Sequence, residues 1–207
     1  MPENLHKLFV ISSPSGGGKT SLINKLFEDS RSANFEKSIS DTSRQKRQGD
    51  LEGKDYYFLS EKDFKDKIKK EEYVEYATVF GNFYGTSKEE IKTKYNNSNL
   101  ILELDWQGAY AVKELFDDAK LIFLVPPSLD DLKQRLIKRN LDSSESIENR
   151  LSEAKKEISK SEMYDFLVLN DDFDRAFEDL SQILFKGISS KDFNSRVSKD
   201  LIERLVE

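Results

Sequence analysis

The sequence contains no cysteine, and it has one histidine and one tryptophan among its 207 residues. Without cysteine the chain has neither a disulfide framework nor a thiolate site, which agrees with a reducing compartment. No apolar stretch approaches the roughly 18 residues that span a membrane, and the N-terminal segment lacks the apolar run of a signal peptide. We therefore expect a cytoplasmic protein with no membrane partner.

A basic stripe is also missing, because acidic and basic side chains are interspersed along the whole chain. The 39 acidic residues outnumber the 33 basic ones, which gives a formal net charge of −6 at pH 7. An acidic surface repels nucleic acid, so we expect no nucleic-acid partner. A site for a nucleotide must then concentrate its positive charge locally, in clusters of Arg and Lys.

The hydrophobic pattern predicts an α/β fold with a parallel core sheet flanked by helices. Its length fits one domain, or a core with a small inserted subdomain. Near-continuous apolar runs, separated by segments with helical spacing, predict strands that are covered on both faces. These strands are expected at 8–11, 100–104, 121–125 and 166–169. Helices are expected at 19–30, 109–116, 129–139 with Ser128 as N-cap, and 147–163.

Two segments depart from this rhythm. Between about residues 35 and 95, aromatic and polar residues alternate over 54–58 and 73–77, which predicts short antiparallel strands in an inserted subdomain. The last segment, 188–207, carries apolar residues at fourfold spacing, which predicts an amphipathic terminal helix. These apolar residues are Phe193, Val197, Leu201 and Leu205.

A phosphate-binding loop separates the first predicted strand from the first predicted helix. It reads Ser13-Pro14-Ser15-Gly16-Gly17-Gly18-Lys19-Thr20. Three glycines let backbone N–H groups converge on phosphate oxygens, and the helix N-terminus adds partial positive charge. Lys19 is then placed for the β- and γ-phosphates and Thr20 for Mg²⁺. Ser13 replaces the first glycine of the general pattern, and the alternative is a plain glycine-rich connection.

A second cationic cluster lies in the predicted insertion. Arg44 and Arg47 are followed by Tyr56. Paired guanidinium groups with a phenolic hydroxyl suit a phosphate monoester, because the Arg fork matches phosphate oxygens. The alternative is a solvated surface loop.

Five motifs, in this order and spacing, resemble guanylate kinases from about residue 7 to residue 184. They are the phosphate loop, the Arg44/Arg47 segment, Gly81-Asn82-Phe83-Tyr84-Gly85-Thr86, Asp105-Trp106-Gln107-Gly108 and Val168-Leu169-Asn170-Asp171-Asp172. The resemblance implies a P-loop kinase that transfers the γ-phosphoryl group of ATP to GMP, and to dGMP, with Mg²⁺, giving ADP and GDP in purine nucleotide metabolism.

The resemblance also implies a division of the chain. It gives a guanylate kinase-like domain at 5–184, with its core at 5–34 and 97–184, a small α+β GMP-binding subdomain at 35–96, a helical lid at about 135–150, and a C-terminal helical tail at 185–207.

Site residues follow from the resemblance, position by position. The resemblance implies that Arg44, Arg47, Tyr56 and Tyr84 bind the phosphate of GMP, with Asp50 in the same pocket. It implies that Ser40, Glu75, Thr86 and Asp105 bind guanine. It implies that the phosphate loop from Ser13 to Thr20, together with Asn170, binds ATP, and that Thr20 is a metal ligand. Lys19, Arg135, Arg139 and Arg150 are the expected catalytic cations.

The chemistry of these positions is consistent with their assignments. A carboxylate such as Glu75 accepts from both N1–H and the N2 amine of guanine, whereas adenine presents an acceptor at N1 and no amine at C2. Arg135 and Arg139 lie four residues apart, on one face of a helix, where they can converge on one anion with Arg150. The alternative for this helix is a solvated charged face.

Four positions depart from the family pattern, and two other functions stay open. Asp50 stands for the usual Glu, Lys46 for Pro, Glu103 for Asp and Asn140 for Gly. Glu103 and Asp105 share a strand face and are also candidates for contacts to metal-bound water. The alternative functions are a non-catalytic phosphopeptide-binding module and a nucleoside monophosphate kinase with another acceptor.

Overall fold

The computed structural model describes residues 6–47, 49–79, 81–138 and 144–207, within which strands β1–β9 and helices α1–α8 are numbered in chain order. A five-stranded sheet, all parallel, has the order β2-β7-β1-β8-β9. Its strands are β1 Leu8–Ser12, β2 Phe35–Lys37, β7 Asn99–Glu103, β8 Lys120–Val125 and β9 Phe166–Leu169. Because the strands are parallel, their carboxyl ends meet at one edge, where ligands bind in open α/β sheets.

Helices cover both faces of this sheet. One apolar cluster joins Phe9 and Ile11 to α1 (Lys19–Glu28) and α7 (Phe173–Leu184). The opposite cluster joins Leu8 and Val10 to four other helices. These are α3 (Lys88–Tyr95), α4 (Trp106–Leu115), α6 (Ser144–Ile158) and α8 (Lys199–Val206). Burial on both faces explains why residues 8–11 of β1 and the central residues of β7 and β8 are apolar, whereas β2 at the sheet edge is not.

A second sheet of four short strands has the order β4-β3-β6-β5. Its elements are β3 Asp41–Thr42, β4 Tyr57–Phe58, β5 Tyr73–Val79, β6 Asn82–Ser87 and the helix α2 Glu61–Lys69. Phe64 of α2 stacks on Tyr73 and Phe83, with ring centroids 4.5 Å and 5.3 Å apart. This aromatic stack fixes α2 on the sheet and leaves the opposite sheet face toward α4, which packs against β5.

The parallel core, its flanking helices and the strand-rich insertion are confirmed, and Ser128 receives the N–H of Asp131 at 2.9 Å as predicted. The antiparallel prediction for residues 54–58 is wrong, because β4 pairs in parallel with β3. The α4 helix begins at Trp106 instead of residue 109, and α6 spans 144–158 and is followed by a 3₁₀ turn at Ser161–Met163.

Two boundaries also shift. Phe35–Lys37 pairs with β7 in the core sheet, so the chain leaves the core after Lys37 and not at residue 35. The terminal helix begins at Lys199, because Phe193 packs on Phe166 while Leu205 lies in the opposite cluster. The division into core, subdomain and lid otherwise stays a prediction. Within the described residues, no helix is long and apolar enough to cross a bilayer.

Candidate active site

The phosphate loop follows β1, at the carboxyl edge of the parallel sheet. Gly17 N–H donates to the carbonyl of Pro14 at 2.8 Å, and Gly18 caps α1 with φ of +87°. A Cβ at Gly18 would lie 2.5 Å from Nδ2 of Asn170. Since that amide also donates to the carbonyl of Gly17 at 2.6 Å, the loop and the residue after β9 are locked together. The two segments assigned to ATP therefore form one surface.

Lys19 begins α1 beneath this loop. Its ammonium donates to the carbonyl of Leu104, which follows β7, at 3.2 Å. Burial lowers the pKa of Lys19, although the carboxylates of Glu103, Glu157 and Asp105 oppose this shift. The lysine is thus a half-buried cation whose ammonium is hydrogen-bonded to a backbone carbonyl and lies near three carboxylates.

Thr20 has hard oxygen atoms beside it. Its hydroxyl donates to Oε1 of Glu103 at 2.8 Å, and Oε2 of Glu103 pairs with Lys37 at 2.7 Å. Burial alone would raise the pKa of Glu103, but Lys37, Lys19 and Thr20 outweigh burial and lower it. A hydroxyl and an ionised carboxylate fit a cation that keeps most of its water, as Mg²⁺ does. No cluster of three acidic or histidine ligands exists among the residues that the structure describes.

Of the three predicted lid cations, Arg150 contacts the phosphate loop and Arg135 contacts Asn170, which is hydrogen-bonded to the loop. Arg135 of α5 (Leu129–Lys138) donates to the carbonyl of Asn170 at 2.9 Å, and Arg150 of α6 donates to the hydroxyl of Ser15 at 3.1 Å. Arg139 and Asn140 lie outside the described residues. A cleft of about 430 Å³ opens between the loop, α5 and the residues after β9. It is lined by Gly16, Gly18, Ser21, Arg135, Lys138, Asn170, Asp171 and Phe173.

The second sheet gathers most of the residues assigned to the GMP phosphate. The Arg44 guanidinium lies 2.8 Å from a carboxylate oxygen of Asp50 and 5.5 Å from the Tyr56 ring centroid. The rings of Tyr56 and Tyr84 lie 5.7 Å apart. Asp50, although one methylene shorter than the usual Glu, reaches both Arg44 and the backbone N–H of Arg47. The side chain of Arg47 is exposed, so Arg47 joins this cluster through its backbone.

The residues assigned to guanine converge on Glu75. The Thr86 hydroxyl donates to Oε1 of Glu75 at 2.7 Å. Burial raises the pKa of Glu75, with a smaller contribution from Asp105, while the Thr86 hydrogen bond opposes the shift. A Cβ on Gly108 would lie 3.0 Å from Cγ of Glu75, so a glycine in α4 lets this side chain approach closely. Ser40, just before β3, is half-buried and contributes its carbonyl to Tyr57 at 3.0 Å.

Asp105 joins the two halves of the site. Its carboxylate caps α4 by accepting the Gly108 N–H at 2.9 Å, while the side chain stays exposed. It lies close enough to influence the pKa of both Glu75 and Lys19. Lys19, held by the carbonyl of Leu104, and Glu75, packed against Gly108, therefore both contact the short segment that contains Asp105.

Glu157 of α6 is a neighbour of Lys19 and Asp105 that the sequence did not reveal. Its Oε2 is fully buried and has no hydrogen-bond partner among the described residues. Burial raises the pKa of Glu157 to about 7, against the opposing charge of Lys19 and with help from Asp105 and Glu153. The available signal was its spacing from Arg150 and Ala154 on one face of a helix, which is common to many structural positions.

We expect Glu157→Gln to stabilise the protein in a pH-dependent way. With its pKa raised from 4.5 to about 7, folded Glu157 keeps a proton that the unfolded chain has lost, so its contribution to stability falls as pH rises. The gain in free energy of unfolding should grow by about 1–3 kcal/mol between pH 5 and pH 8. Urea unfolding at both pH values measures it.

The matched control for that measurement is Glu148→Gln, on the same helix at an exposed position that does not influence the pKa of Glu157. Because this variant keeps Glu157, its free energy of unfolding should differ from that of wild type by nearly the same amount at pH 5 and at pH 8. An equal gain from Glu157→Gln at pH 5 and pH 8 would contradict the raised pKa.

Known proteins with similar sequences and structures agree with this geometry. A family model described as "Guanylate kinase" matches residues 5–187. The guanylate kinase of Coxiella burnetii is 40% identical over 205 residues, 99% of this chain and 98% of that protein. The guanylate kinase of Wolbachia sp. subsp. Brugia malayi is 45% identical over 186 residues, 89% of this chain and 94% of that protein. The crystal structure of guanylate kinase from Anaplasma phagocytophilum has a TM-score of 0.69 at 32% identity, covering 97% of this chain and 95% of that chain. The chain therefore belongs to the guanylate kinase family.

Proposed function

We propose that this protein transfers the γ-phosphoryl group of ATP to GMP, giving ADP and GDP, and that it accepts dGMP as well. The observation that carries the proposal is that one short segment contacts both residues: the carbonyl of Leu104 accepts from Lys19, and Gly108 lies against the side chain of Glu75. Glu75, paired with Thr86, and Lys19, beneath the phosphate loop, both lie within the electrostatic influence of Asp105. A base-reading carboxylate and a triphosphate-binding lysine that contact the same short segment suit transfer between two nucleotides.

In this proposal GMP binds against the second sheet. Arg44 and the phenols of Tyr56 and Tyr84 hold its phosphate; burial raises the pKa of Tyr56, so this phenol stays a donor near neutral pH. Glu75 accepts hydrogen bonds from N1–H and the N2 amine of guanine. Arg44 pairs with Asp50 through Nη1, so the donors on Nε and Nη2 of the guanidinium would make the bidentate contact with the phosphate.

The attacking atom is a phosphate oxygen of GMP, because the second pKa of a monoester lies near ~6 and the oxygen is already anionic near neutral pH. The protein needs no nucleophile of its own. Its task is to bring two polyanions into line, neutralise them and exclude water. Lys19 is placed for the β- and γ-phosphates, while Arg135 and Arg150 approach the loop from α5 and α6.

We propose Thr20 as the protein ligand of Mg²⁺, with Glu103 orienting a water molecule of the ion. When bound with ATP, Mg²⁺ supplies neutralising charge at the phosphates. The hydroxyl of Thr20 is already oriented toward Glu103, so the protein contributes one direct oxygen and one carboxylate beside it. Chelation of Mg²⁺ should therefore abolish transfer while the fold persists.

We also propose that the protein works in the cytoplasm, where it returns GMP to the pool of guanine nucleotides. A phosphopeptide-binding module would not need the contacts that Lys19 and Thr20 make with Leu104 and Glu103. A kinase for AMP or UMP would not need a half-buried carboxylate held by Thr86. Both alternatives make different predictions in one assay.

The test is the initial rate of ADP release with ATP, Mg²⁺ and four acceptors: GMP, dGMP, AMP and UMP. We expect rapid release with the two guanine nucleotides and at least ~10³-fold lower kcat/KM with AMP, since AMP leaves the carboxylate of Glu75 unpaired. Comparable turnover of AMP would overturn the assignment of Glu75. Absence of ADP release with every acceptor would favour the non-catalytic module.

A further inference from the structure

The C-terminal tail crosses the exposed edge of the core sheet. Phe193 packs on Phe166 in the cluster on the α1 and α7 face, whereas Val197 and Leu205 belong to the cluster on the opposite face. Between them, the hydroxyl of Ser195 donates to the carbonyl of Leu167 at 2.7 Å. The tail thus covers β9, an edge strand whose carbonyl groups would otherwise lack partners.

Arg196 connects the tail to three residues of the core. Its guanidinium donates to the carbonyl of Leu169 at 2.9 Å, to Oδ1 of Asp171 at 2.7 Å and to Oδ2 of Asp179 at 3.1 Å. Three acceptors on β9, on the loop after it and on α7 therefore share one rigid fork. Burial alone would raise the pKa of Asp171, but the hydrogen bond and charge of Arg196, together with the backbone N–H of Asp172, outweigh burial and lower it.

The loop that Arg196 holds is part of the ATP side of the site. Asn170, between the two residues that Arg196 contacts, donates from its side chain to Gly17 and accepts from Arg135 at its carbonyl. Asn170 and Asp171 both line the cleft beside the phosphate loop. A displacement of this loop would change the position of Asn170, and with it the phosphate loop and Arg135.

We propose that Arg196 is a positioning residue for ATP, which fixes the β9–α7 loop and through Asn170 sets the geometry of the phosphate loop. This inference rests on the proposed function. Arg196 lies beyond residues 5–187, the segment matched by the family model. The residues assigned to GMP belong to the second sheet and to α4, and their described hydrogen bonds do not include Arg196. The effect should therefore fall on ATP and spare GMP.

The test compares Arg196→Gln and Arg196→Lys with wild type, using Arg204→Gln in the same tail as a matched control at an exposed position. We expect Arg196→Gln to raise KM for ATP about tenfold and to leave KM for GMP within about twofold, because misplaced binding groups weaken only their own substrate. Arg196→Lys keeps the charge but loses the fork, so its KM for ATP should be intermediate. Arg204→Gln should match wild type.

A second readout separates this inference from the proposed function. Calorimetric binding of a non-hydrolysable ATP analogue needs no acceptor, and Arg196→Gln should weaken it by the same factor as KM. Wild-type protein that binds the analogue but transfers nothing to GMP would defeat the proposed function and leave the positioning role standing. Unchanged analogue binding in folded Arg196→Gln, or equal weakening of ATP and GMP, would overturn the positioning role. If Arg196→Gln does not fold, Arg196→Lys carries the same comparison.

Discussion

Lys19→Ala is expected to lower kcat for GMP-dependent ADP release by about 10²–10³-fold or more, the size of effect seen when one preorganised donor to transition-state charge is removed. Lys19 is held at the base of the phosphate loop by the carbonyl of Leu104 and by nearby carboxylates. In the proposed mechanism, its ammonium is preorganised where negative charge shifts during transfer. Lys19 is the first residue of α1 and directly follows the last glycine of the loop.

Binding of GMP should survive this change. The residues assigned to GMP lie on the second sheet and on Asp105, and Lys19 contacts none of the phosphate-binding side chains through a described hydrogen bond. Calorimetry with GMP alone should therefore give a Kd within about threefold of wild type, while transfer is lost. Lys25→Ala, on the same helix and exposed, is the matched control. Unchanged turnover in Lys19→Ala would remove this lysine from the mechanism.

Glu75→Gln is expected to lower kcat/KM for GMP by about 10²–10⁴-fold, because the amide has one acceptor and presents a donor toward the N–H groups of guanine. Its side chain is held by Thr86 at 2.7 Å and approaches α4 over Gly108, so the amide cannot easily turn away. The ratio of kcat/KM for GMP to that for AMP should fall by the same mechanism. Rates with both acceptors measure this.

The control for the base-reading prediction is Glu61→Gln, on α2 of the same inserted segment, where the carboxylate is exposed and pairs with Lys65. It should keep both the rate with GMP and the preference over AMP. If Glu75→Gln retained the full preference for GMP, the discrimination would lie elsewhere in the site, and the assignment of Glu75 would be wrong.

Much of the site could be predicted because its parts carry strong local constraints. The phosphate loop needs glycine at Gly18, where a Cβ would meet Asn170, and this requirement is visible as a run of glycines. The core strands are buried on both faces, so their apolar runs are continuous. Arg44 and Tyr56 come together because β3 and β4 pair side by side.

The parts that could not be predicted depend on long-range contacts. A strand of three residues, Phe35–Lys37, has too short a pattern to be distinguished from a loop, and its pairing with β7 decides its place. The fourfold spacing of the tail fits a helix, yet Phe193 and Leu205 pack on opposite faces of the sheet. Glu157 resembles the other acidic residues of α6 until burial of its Oε2 sets it apart.

The C-terminal tail that covers β9 also depends on long-range contacts. Arg196 stands in a polar stretch with no motif, and its role emerges only when the tail crosses β9 and meets Asp171 and Asp179. Conversely, Asp50 departs from the family pattern, but its carboxylate still reaches Arg44 because the turn after Arg47 brings the two together.

The central claim is that one cleft holds a guanine monophosphate and a nucleoside triphosphate in position for direct transfer. Product analysis in the acceptor assay tests it most directly, with ATP labelled at the γ-phosphate and Mg²⁺ present. The account predicts that label appears in GDP when GMP is supplied, and that AMP and UMP yield little labelled product. Label that appears only as inorganic phosphate, or equally in ADP formed from AMP, would contradict it.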